Sequence, residues 1–232
     1  NDAGLAAGLM PGIGDGAGLL HDVHTLAQAS FFIPGRYYTR IGGINNAGQV
    51  VGNWYDGLGS GVFIGYCTNA ELVQYWGHPY VDHPRESTSP HGIDNLGRVT
   101  GYVQAHKPSG DPEKPYYVGG FITSDVTNPL AFTNFNVGAA ITQVTASNTN
   151  GVMVGHYSTN GWNCGFIHKA GVTESFMIEK PRVISTEIWD VNERGWLVGS
   201  YVQLNEYDQQ MRHGVLAVPT PPQPIPLEIR RV

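Results

Sequence analysis

The residues best suited to chemistry in this chain stand at two fixed distances ahead of a repeated turn that ends in glycine. Eight residues before that glycine the copies read Arg40, Ser89, Gln143 and Glu187, and six residues before it they read Gly42, His91, Thr145 and Trp189. On a strand, alternation places both positions on one face. The side chains we expect to converge on one small volume are therefore Arg40, His91, Gln143, Glu187 and Trp189.

One carboxylate stands out beside this set. Asp190 occupies the position five residues before the turn glycine, where the other copies have Gly43, Gly92 and Ala146. Together with His91 and Glu187 it supplies candidates for general acid–base catalysis such as hydrolysis or elimination on a polar substrate. The alternative is a polar, water-filled channel in which the charges simply pair, Arg40 with Glu187.

A second set of residues suits the binding of a sugar. It occupies two consecutive positions after the turn, where aromatic rings alternate with amide, hydroxyl and imidazole groups. Aromatic rings stack on the C–H face of a sugar, while its hydroxyls need paired donors and acceptors. The alternative is that these rings pack between repeats. With the first set, the ligand-binding candidates are Arg40, Asn53, Trp54, Tyr102, Gln143, His156, Tyr157, Trp189 and Tyr201.

Known catalytic and cofactor motifs do not occur in the sequence. It has no nucleophile elbow, phosphate-binding loop, dinucleotide fingerprint or zinc-protease motif. His21 and His24 are three residues apart, so on a strand they point to opposite faces and do not share a metal. We therefore predict neither a metal nor a cofactor. The two cysteines, Cys67 and Cys164, are expected to be free and buried, because they lie on equivalent strands of distant repeats.

The elements that position all these residues follow from an internal repeat. The segment Asn45–Gly52, Asn-Asn-Ala-Gly-Gln-Val-Val-Gly, returns four more times in eroded form, and the turn glycines lie 44, 49, 54 and 44 residues apart. An Asn or Asp side chain can cap the turn, and glycine takes the positive φ that closes a hairpin. A Thr nine residues before the glycine recurs in four copies, and we assign it, with the glycines, to the fold.

Each repeat contains four strand-like runs, a pattern typical of a propeller blade. We predict one all-β domain, a five-bladed β-propeller of about 46 residues per blade, with repeats at about 1–35, 36–84, 85–138, 139–182 and 183–232. The chain opens within a turn, so the leading strand of the first blade is missing unless another segment replaces it. The run Pro226–Ile229 is in phase with a fourth strand.

Composition excludes several partners. Gly (31) and Pro (15) are frequent, and charged residues make up only 14% of the chain, which suits short strands and tight turns. The formal net charge is −6 and no basic cluster is present, so nucleic acid is not an expected partner. No apolar run approaches the ~20 residues that span a bilayer, so no membrane span is expected.

The repeat unit resembles the bacterial extracellular HAF repeats. The resemblance rests on Gly43–Trp54, Gly-Ile-Asn-Asn-Ala-Gly-Gln-Val-Val-Gly-Asn-Trp, followed by a Gly-Phe-Ile-like strand. The His of the family's triplet is kept only at His213, whereas the other repeats have Ala17, Ser60, Gly119 or Cys164 there. The resemblance covers nearly the whole chain and implies an exported, propeller-like protein in the periplasm or outside the cell.

These patterns favour an exported, non-enzymatic binding module that recognises a glycan or another small polar ligand at blade-edge pockets or at the channel mouth. One alternative is an enzyme that uses acid–base chemistry at the channel mouth. Another is an assembly scaffold in which one face of the ring binds a protein.

Overall fold

The computed structural model describes residues 1–10, 16–55, 60–76, 87–105, 117–138 and 141–219, and these fold as short β-strands. The strands are β1 (Leu5–Met10), β2 (Ala17–Asp22), β3 (Gln28–Phe31), β4 (Tyr38–Ile44), β5 (Gln49–Tyr55), β6 (Ser60–Tyr66), β7 (Asn69–Trp76), β8 (Ser87–Ile93), β9 (Val99–Ala105), β10 (Tyr117–Thr123), β11 (Phe132–Phe135), β12 (Ile141–Ser147), β13 (Met153–Thr159), β14 (Trp162–Lys169), β15 (Val172–Phe176), β16 (Val183–Val191), β17 (Leu197–Leu204) and β18 (Gln210–Ala217).

The strands form five antiparallel sheets arranged as a ring, so the predicted five-bladed β-propeller is confirmed. Blades 2, 3 and 4 have four strands each, paired in chain order. In the described residues, blade 1 consists of β1–β3 and blade 5 of β16–β18. The inner strands β4, β8, β12 and β16 contact one another in series around the centre.

The repeated turn joins the inner strand of a blade to its second strand. At Asn45 the side-chain oxygen accepts hydrogen bonds from the backbone N–H of Ala47 (3.1 Å) and Gln49 (3.0 Å). Gly48 has a φ of +74° and its N–H donates to the Asn45 carbonyl at 3.1 Å. An L-residue rarely adopts this φ, which explains why the turn glycine returns in every copy.

The second glycine of each repeat is required by close packing. A Cβ on Gly52 would lie 1.9 Å from the Arg40 carbonyl oxygen and 2.9 Å from the Phe63 ring. Phe63 is fully buried, as are its repeat equivalents Phe121 and Phe166. The glycine therefore lets the inner strand and a core aromatic ring meet over the second strand.

Apolar clusters join successive blades. Blades 1 and 2 share Phe31, Ile33, Ile41, Val50 and Phe63; blades 2 and 3 share Val51, Ile93, Val99, Val103 and Phe121; blades 3 and 4 share Val144, Met153 and Phe166 with Ile122 and Phe135; blades 4 and 5 share Ala146, Val152, Val154, Ile188, Val191 and Leu197. In the part of the chain that is described, no fifth cluster joins blade 5 to blade 1.

The threonine that begins each inner strand anchors the connection from the preceding blade. The Thr39 hydroxyl accepts the N–H of Ile33 (3.3 Å), Thr142 accepts that of Val137 (3.0 Å), and Thr186 accepts that of Ile178 (3.0 Å). These residues are fully buried. The structural role expected for this threonine follows from these bonds.

A few local expectations need adjustment. Leu130 and Ala131, expected in a strand, belong to a short 3₁₀-helix, Pro129–Ala131, because the Asn128 side chain caps that turn. Cys67 and Cys164 are free, as predicted, but half-buried rather than buried. The expected strand Pro226–Ile229 lies outside the described residues. Among those residues, no helix has the length and apolar character needed to cross a bilayer.

Candidate functional site

Every complete inner strand carries a β-bulge at the same repeat position, and this bulge changes which side chains share a face. Ile188 pairs with Gly199 and Asp190 with Val198, so Trp189 is the extra residue. Gly42, His91 and Thr145 are the extra residues in β4, β8 and β12. Simple alternation predicted that the positions eight and six before the turn glycine share a face. The register instead pairs the first of them with the position of Asp190, because a bulge inserts one residue.

The bulges line a cavity on the propeller axis with a volume of about 180 Å³. Its wall consists mainly of small residues, because the inner strands approach one another closely there. A Cβ on Gly43 would lie 2.9 Å from the Cα of Gly92, and a Cβ on Gly92 would lie 2.7 Å from the Thr145 carbonyl oxygen. Among the predicted residues, His91, Trp189 and Asp190 line this cavity.

The fifth blade differs from the others at this wall. Trp189 and Asp190 follow each other where blade 2 has Gly42 and Gly43. Trp189 is 44% exposed, its ring lies edge-on to His156 at 5.1 Å, and its indole N–H donates to the Ser200 hydroxyl at 3.2 Å. One face of the indole is thus held in place while part of the ring stays accessible.

Asp190 combines access to the cavity with an altered acidity. Its carboxylate accepts one hydrogen bond, from the N–H of Val191 at 2.7 Å. Enclosure by the surrounding protein raises the pKa of Asp190, and this outweighs the Val191 bond and the nearby amino terminus, which both lower it. The side chain is nevertheless solvent-accessible from the channel. Asp190 can therefore accept from a ligand hydroxyl or hold a proton.

His91 lies at the contact of three blades. Its ring is edge-on to Tyr102 at 5.4 Å. Burial lowers the pKa of His91 to about 4, and the positive charges of Arg40 in blade 2 and His156 in blade 4 act in the same direction. The imidazole is therefore neutral near pH 7.

Glu187 is held by three donors at the start of the fifth inner strand. It accepts from Asn163 Nδ2 (2.7 Å), Arg212 Nη1 (2.6 Å) and the Ser200 hydroxyl (3.3 Å). Burial raises the pKa of Glu187, but the bonds from Arg212 and Asn163 outweigh it, so the net pKa is lowered. Its partner is thus Arg212 rather than Arg40. A carboxylate so fully bonded is ionised and structural rather than poised for proton transfer.

The remaining residues of this face bind within the protein. Asn53 Nδ2 donates to the Thr88 carbonyl of the next blade at 3.0 Å. His156 is 4% exposed, and its Nδ1 has no partner in the described structure. Burial lowers the pKa of His156, although the Glu187 charge and the Ile188 backbone act against this. Gln143 is half-buried and pairs in register with His156.

The predicted blade-edge aromatic rings are already in contact with other side chains of the protein. The Arg36 guanidinium lies 3.5 Å over the Trp54 ring. Lys180 donates to the Tyr201 hydroxyl at 2.9 Å, and the His213 ring stacks on Tyr201 at 4.9 Å. Tyr157 packs against the cluster between blades 3 and 4. These rings mainly join segments of the propeller.

The channel opens at the turn end, where a second cavity of about 250 Å³ is lined by turn residues. A series of hydrogen bonds runs from blade to blade around this mouth. Asn1 Nδ2 donates to the Asn45 carbonyl (3.0 Å), Asn45 Nδ2 to the Asp94 carbonyl (3.0 Å) and Asn148 Nδ2 to the Asn192 carbonyl (2.9 Å).

Blade 3 uses an ion pair in place of the amide. Asp94 has no N–H₂ to donate, and Arg98 bridges the gap: its Nε donates to Asp94 Oδ2 at 2.6 Å and its Nη2 to the Asn148 carbonyl at 2.7 Å. The Asp94 side chain is fully buried. The Arg98 guanidinium therefore makes the link that an asparagine side chain makes in the sibling blades.

Glu193 crosses the mouth in a second, outer layer. Its carboxylate accepts from the Thr149 N–H (3.1 Å) and hydroxyl (2.5 Å) in blade 4 and from Asn95 Nδ2 (3.1 Å) in blade 3. With Asn192, Asp190 and the turn amides it makes this rim rich in carboxylate and carboxamide groups.

Sequence reasoning missed the rim because every repeat has an Asx residue in its turn, and recurrence indicated a purely structural role. One signal was nevertheless available. Asp94 stands where the siblings have asparagine, and an arginine follows four residues later only in that repeat. A paired exception of this kind identifies Arg98. No comparable signal identifies Arg212 or Asn163, which reach Glu187 from other strands.

No group of three or more His, Cys, Asp or Glu side chains that could hold a metal ion is present in the described ranges. Comparisons with known proteins add little on function. No protein-family model matches the chain, and no curated protein matches it. Among solved structures, sixteen are similar.

Two of these similar structures are a "Glycoside hydrolase" and a complex of BT0996 with RGII. The first is 11% identical with a TM-score of 0.36 and the second 10% identical with a TM-score of 0.34; each match covers 91% of the present sequence and 80% of the other protein. At TM-scores this low, the likeness carries no functional argument for the present protein.

Proposed function

We propose that this protein is an exported, non-enzymatic binding module that takes one small, hydroxyl-rich ligand, such as a glycan unit, at the mouth of the central channel. The observation that supports it best is the Trp189–Asp190 pair. It places an accessible indole and a carboxylate in a wall that the other blades build mainly from glycine, alanine and backbone. Export rests on the resemblance to HAF repeats.

The chemistry of the mouth suits a sugar. The exposed part of the Trp189 ring offers a surface for the C–H face of a pyranose. Asp190 accepts hydrogen bonds from vicinal hydroxyls, and the rim beyond it supplies further acceptors on Glu193 and the turn residues. A pocket with one aromatic wall and a few directed polar groups is typical of sites for small ligands.

The channel mouth is a better candidate than the blade edges. Trp54 and Tyr201 already contact cationic side chains of the protein itself, so a ligand would have to displace Arg36 or Lys180 to stack there. Trp189 has part of its ring free of such contacts in the described structure. We therefore expect one site per molecule rather than one per blade.

The test is a glycan array followed by calorimetric titration of the saccharides that bind. We expect a stoichiometry of one and at least about tenfold weaker binding, or ~1.4 kcal/mol, for Trp189→Ala and for Asp190→Asn. The matched control is Trp162→Ala, because Trp162 is 45% exposed on the outer part of blade 4. Absence of binding to every saccharide, or equal affinity in all variants, would overturn the proposal.

Acid–base catalysis is the second candidate, because His91 and Asp190 line the same cavity. Burial lowers the pKa of His91 to about 4 and enclosure raises the pKa of Asp190, so both are shifted toward their neutral forms. Carboxyl and imidazole groups shifted in this way can exchange protons with a bound substrate. If a saccharide that binds is also cleaved, His91→Ala and Asp190→Asn should abolish turnover; unchanged turnover would exclude this mechanism.

A further inference from the structure

Blade 1 contains half of a hairpin. The turn Asn1–Gly4 has the same bonds as the turn at Asn45: Gly4 N–H donates to the Asn1 carbonyl (3.0 Å) and Leu5 N–H to Asn1 Oδ1 (2.8 Å). In blade 2 this turn joins β4 to β5. In blade 1 it leads into β1, which pairs only with β2 in the described structure. The other edge of β1 therefore presents unpaired backbone groups.

Two glycines beside this edge have open space where their repeat equivalents have contacts. A Cβ on Gly155 would lie 2.0 Å from the carbonyl oxygen of Gln143 on the inner strand, whereas a Cβ on Gly8 meets no described atom within 4 Å. A Cβ on Gly165 would lie 3.1 Å from the Ile188 side chain of the next inner strand. A Cβ on Gly214 likewise meets none.

The facing surface of blade 5 is uncovered as well. Val198 is 44% exposed, whereas its equivalents Val51, Thr100 and Val154 are fully buried against the next blade. Leu216, which pairs with Val198 across β17 and β18, is 58% exposed. An apolar face of this kind normally packs against a neighbouring layer.

Between the two blades lies a cavity of about 350 Å³ bounded by β1, by Gly42–Ile44 and by Asp190. The series of turn hydrogen bonds also breaks there: within the described residues, Asn192 makes no bond to the Asn1 carbonyl equivalent to that from Asn148 to Asn192. We call this region, between the free edge of β1 and the Val198–Leu216 face, the seam slot.

We infer that the seam slot accepts an extended peptide strand that pairs antiparallel with β1 and has the pattern of the protein's own inner strands. That pattern is Thr, then an aliphatic residue two positions on, then Gly or Ala two further on, as in Thr39, Ile41 and Gly43. Backbone pairing at a sheet edge gives affinity, and pockets for alternate side chains give specificity.

The two open glycines explain the pattern. Above Gly214 there is room for the aliphatic side chain, as Ile188 fills the space above Gly165. Above Gly8 there is room for the strand's carbonyl. The small residue would lie against the neighbouring inner strand, where Gly43 and Gly92 meet. This inference does not depend on the proposed sugar site, since none of its evidence involves a saccharide.

The test measures binding of a fluorescein-labelled peptide with the sequence Tyr-Thr-Arg-Ile-Gly-Gly-Ile-Asn-Asn (that of residues 38–46) by fluorescence anisotropy. We expect saturable binding of this peptide and none of a scrambled one. Gly8→Val and Gly214→Val should each weaken binding at least about tenfold, because they fill the space that the strand needs. The matched control Ala29→Val, on the exposed outer strand of blade 1, should change it less than about twofold.

Circular dichroism melts should show that both glycine variants stay folded, since neither added side chain meets a described atom. Absence of saturable binding, or equal binding by Gly8→Val, would overturn the inference. So would tighter binding only after Leu227→Asp and Ile229→Asp, since the protein's own last residues would then be the occupant. A dimer by light scattering that the peptide does not dissociate would point to a second copy and overturn it too.

Discussion

Blade 4 and the seam between blades 5 and 1 have the same sequence repeat but different surroundings. Val154 in blade 4 is fully buried, while its equivalent Val198 at the seam is 44% exposed. Gly155 is in contact with an inner strand, and Gly8 has open space in the described structure. The repeat therefore encodes a blade that is complete only when another inner strand lies beside it.

The same comparison explains where function-bearing residues are tolerated. At the position of Asp190, the siblings Gly43, Gly92 and Ala146 have little room, because the next inner strand lies against the first two. Beside Asp190 no described inner strand follows. A carboxylate fits there without the packing cost it would have elsewhere in the ring.

The largest expected effect contrasts an ion pair within the closed part of the ring with one near the seam. Removing Arg98 leaves the fully buried Asp94 carboxylate without its cation, so Arg98→Ala should lower the free energy of unfolding by about 3 kcal/mol. Arg212 is 57% exposed, and Arg212→Ala should cost about 1 kcal/mol or less. Urea unfolding at pH 7 measures both.

A second variant separates charge burial from a simple loss of packing. In the double variant Asp94→Asn with Arg98→Ala, the new amide can donate to the Asn148 carbonyl as Asn45 does to Asp94. It should recover most of the lost stability. If the double variant is as unstable as Arg98→Ala alone, the turn-bond explanation is wrong.

The next effect compares the two equivalent glycines directly. Gly155→Ala places a Cβ 2.0 Å from a backbone oxygen, which no side-chain movement can relieve, and should cost about 2–3 kcal/mol. Gly8→Ala should change stability by no more than about 0.5 kcal/mol. Chemical denaturation of the two variants beside the parent decides this. Equal losses would mean that the seam is packed as tightly as the rest of the ring.

The sequence predicted the fold well because the repeat contains its own physical causes. Turn glycines at fixed spacing, threonines at strand starts and a Gly-Phe-Ile strand all recur, and each has a local structural reason. The candidate site was harder to predict. Alternation failed at the bulges, since a single inserted residue leaves no mark in composition, and so Trp189 and Asp190 were assigned to the wrong faces.

Long-range partners were also beyond the sequence. Glu187 was expected near Arg40, yet it binds Arg212, which comes 25 positions later and from the third strand of the same blade. Trp54 and Tyr201 looked like ligand platforms because nothing in their own strands shows that Arg36 and Lys180 cover them. Such contacts depend on how loops cross between blades, which the repeat pattern does not encode.

A smaller effect concerns the closed side of the ring under acid. The folded-state pKa of His91 is about 4, below the unfolded value near 6.5, so its neutral form stabilises the fold above pH 6.5. That contribution is lost as the pH falls from about 6.5 to 4. We expect His91→Gln to flatten this part of the stability–pH profile by about 1–2 kcal/mol, while His24→Gln, at an exposed turn, leaves it unchanged. Parallel profiles for His91→Gln and the parent would contradict this.

The smallest effect is at the seam and has the opposite sign. Because the pKa of Asp190 is raised in the folded state, its contribution is favourable at low pH and is lost as the pH rises through the folded pKa. Asp190→Asn should therefore stabilise the protein slightly at pH 7, by less than about 1 kcal/mol because the group is exposed to the channel. The same variant should weaken saccharide binding. Stability gained together with binding lost is typical of a residue kept for function, whereas stability lost on Asp190→Asn would assign this carboxylate to the fold.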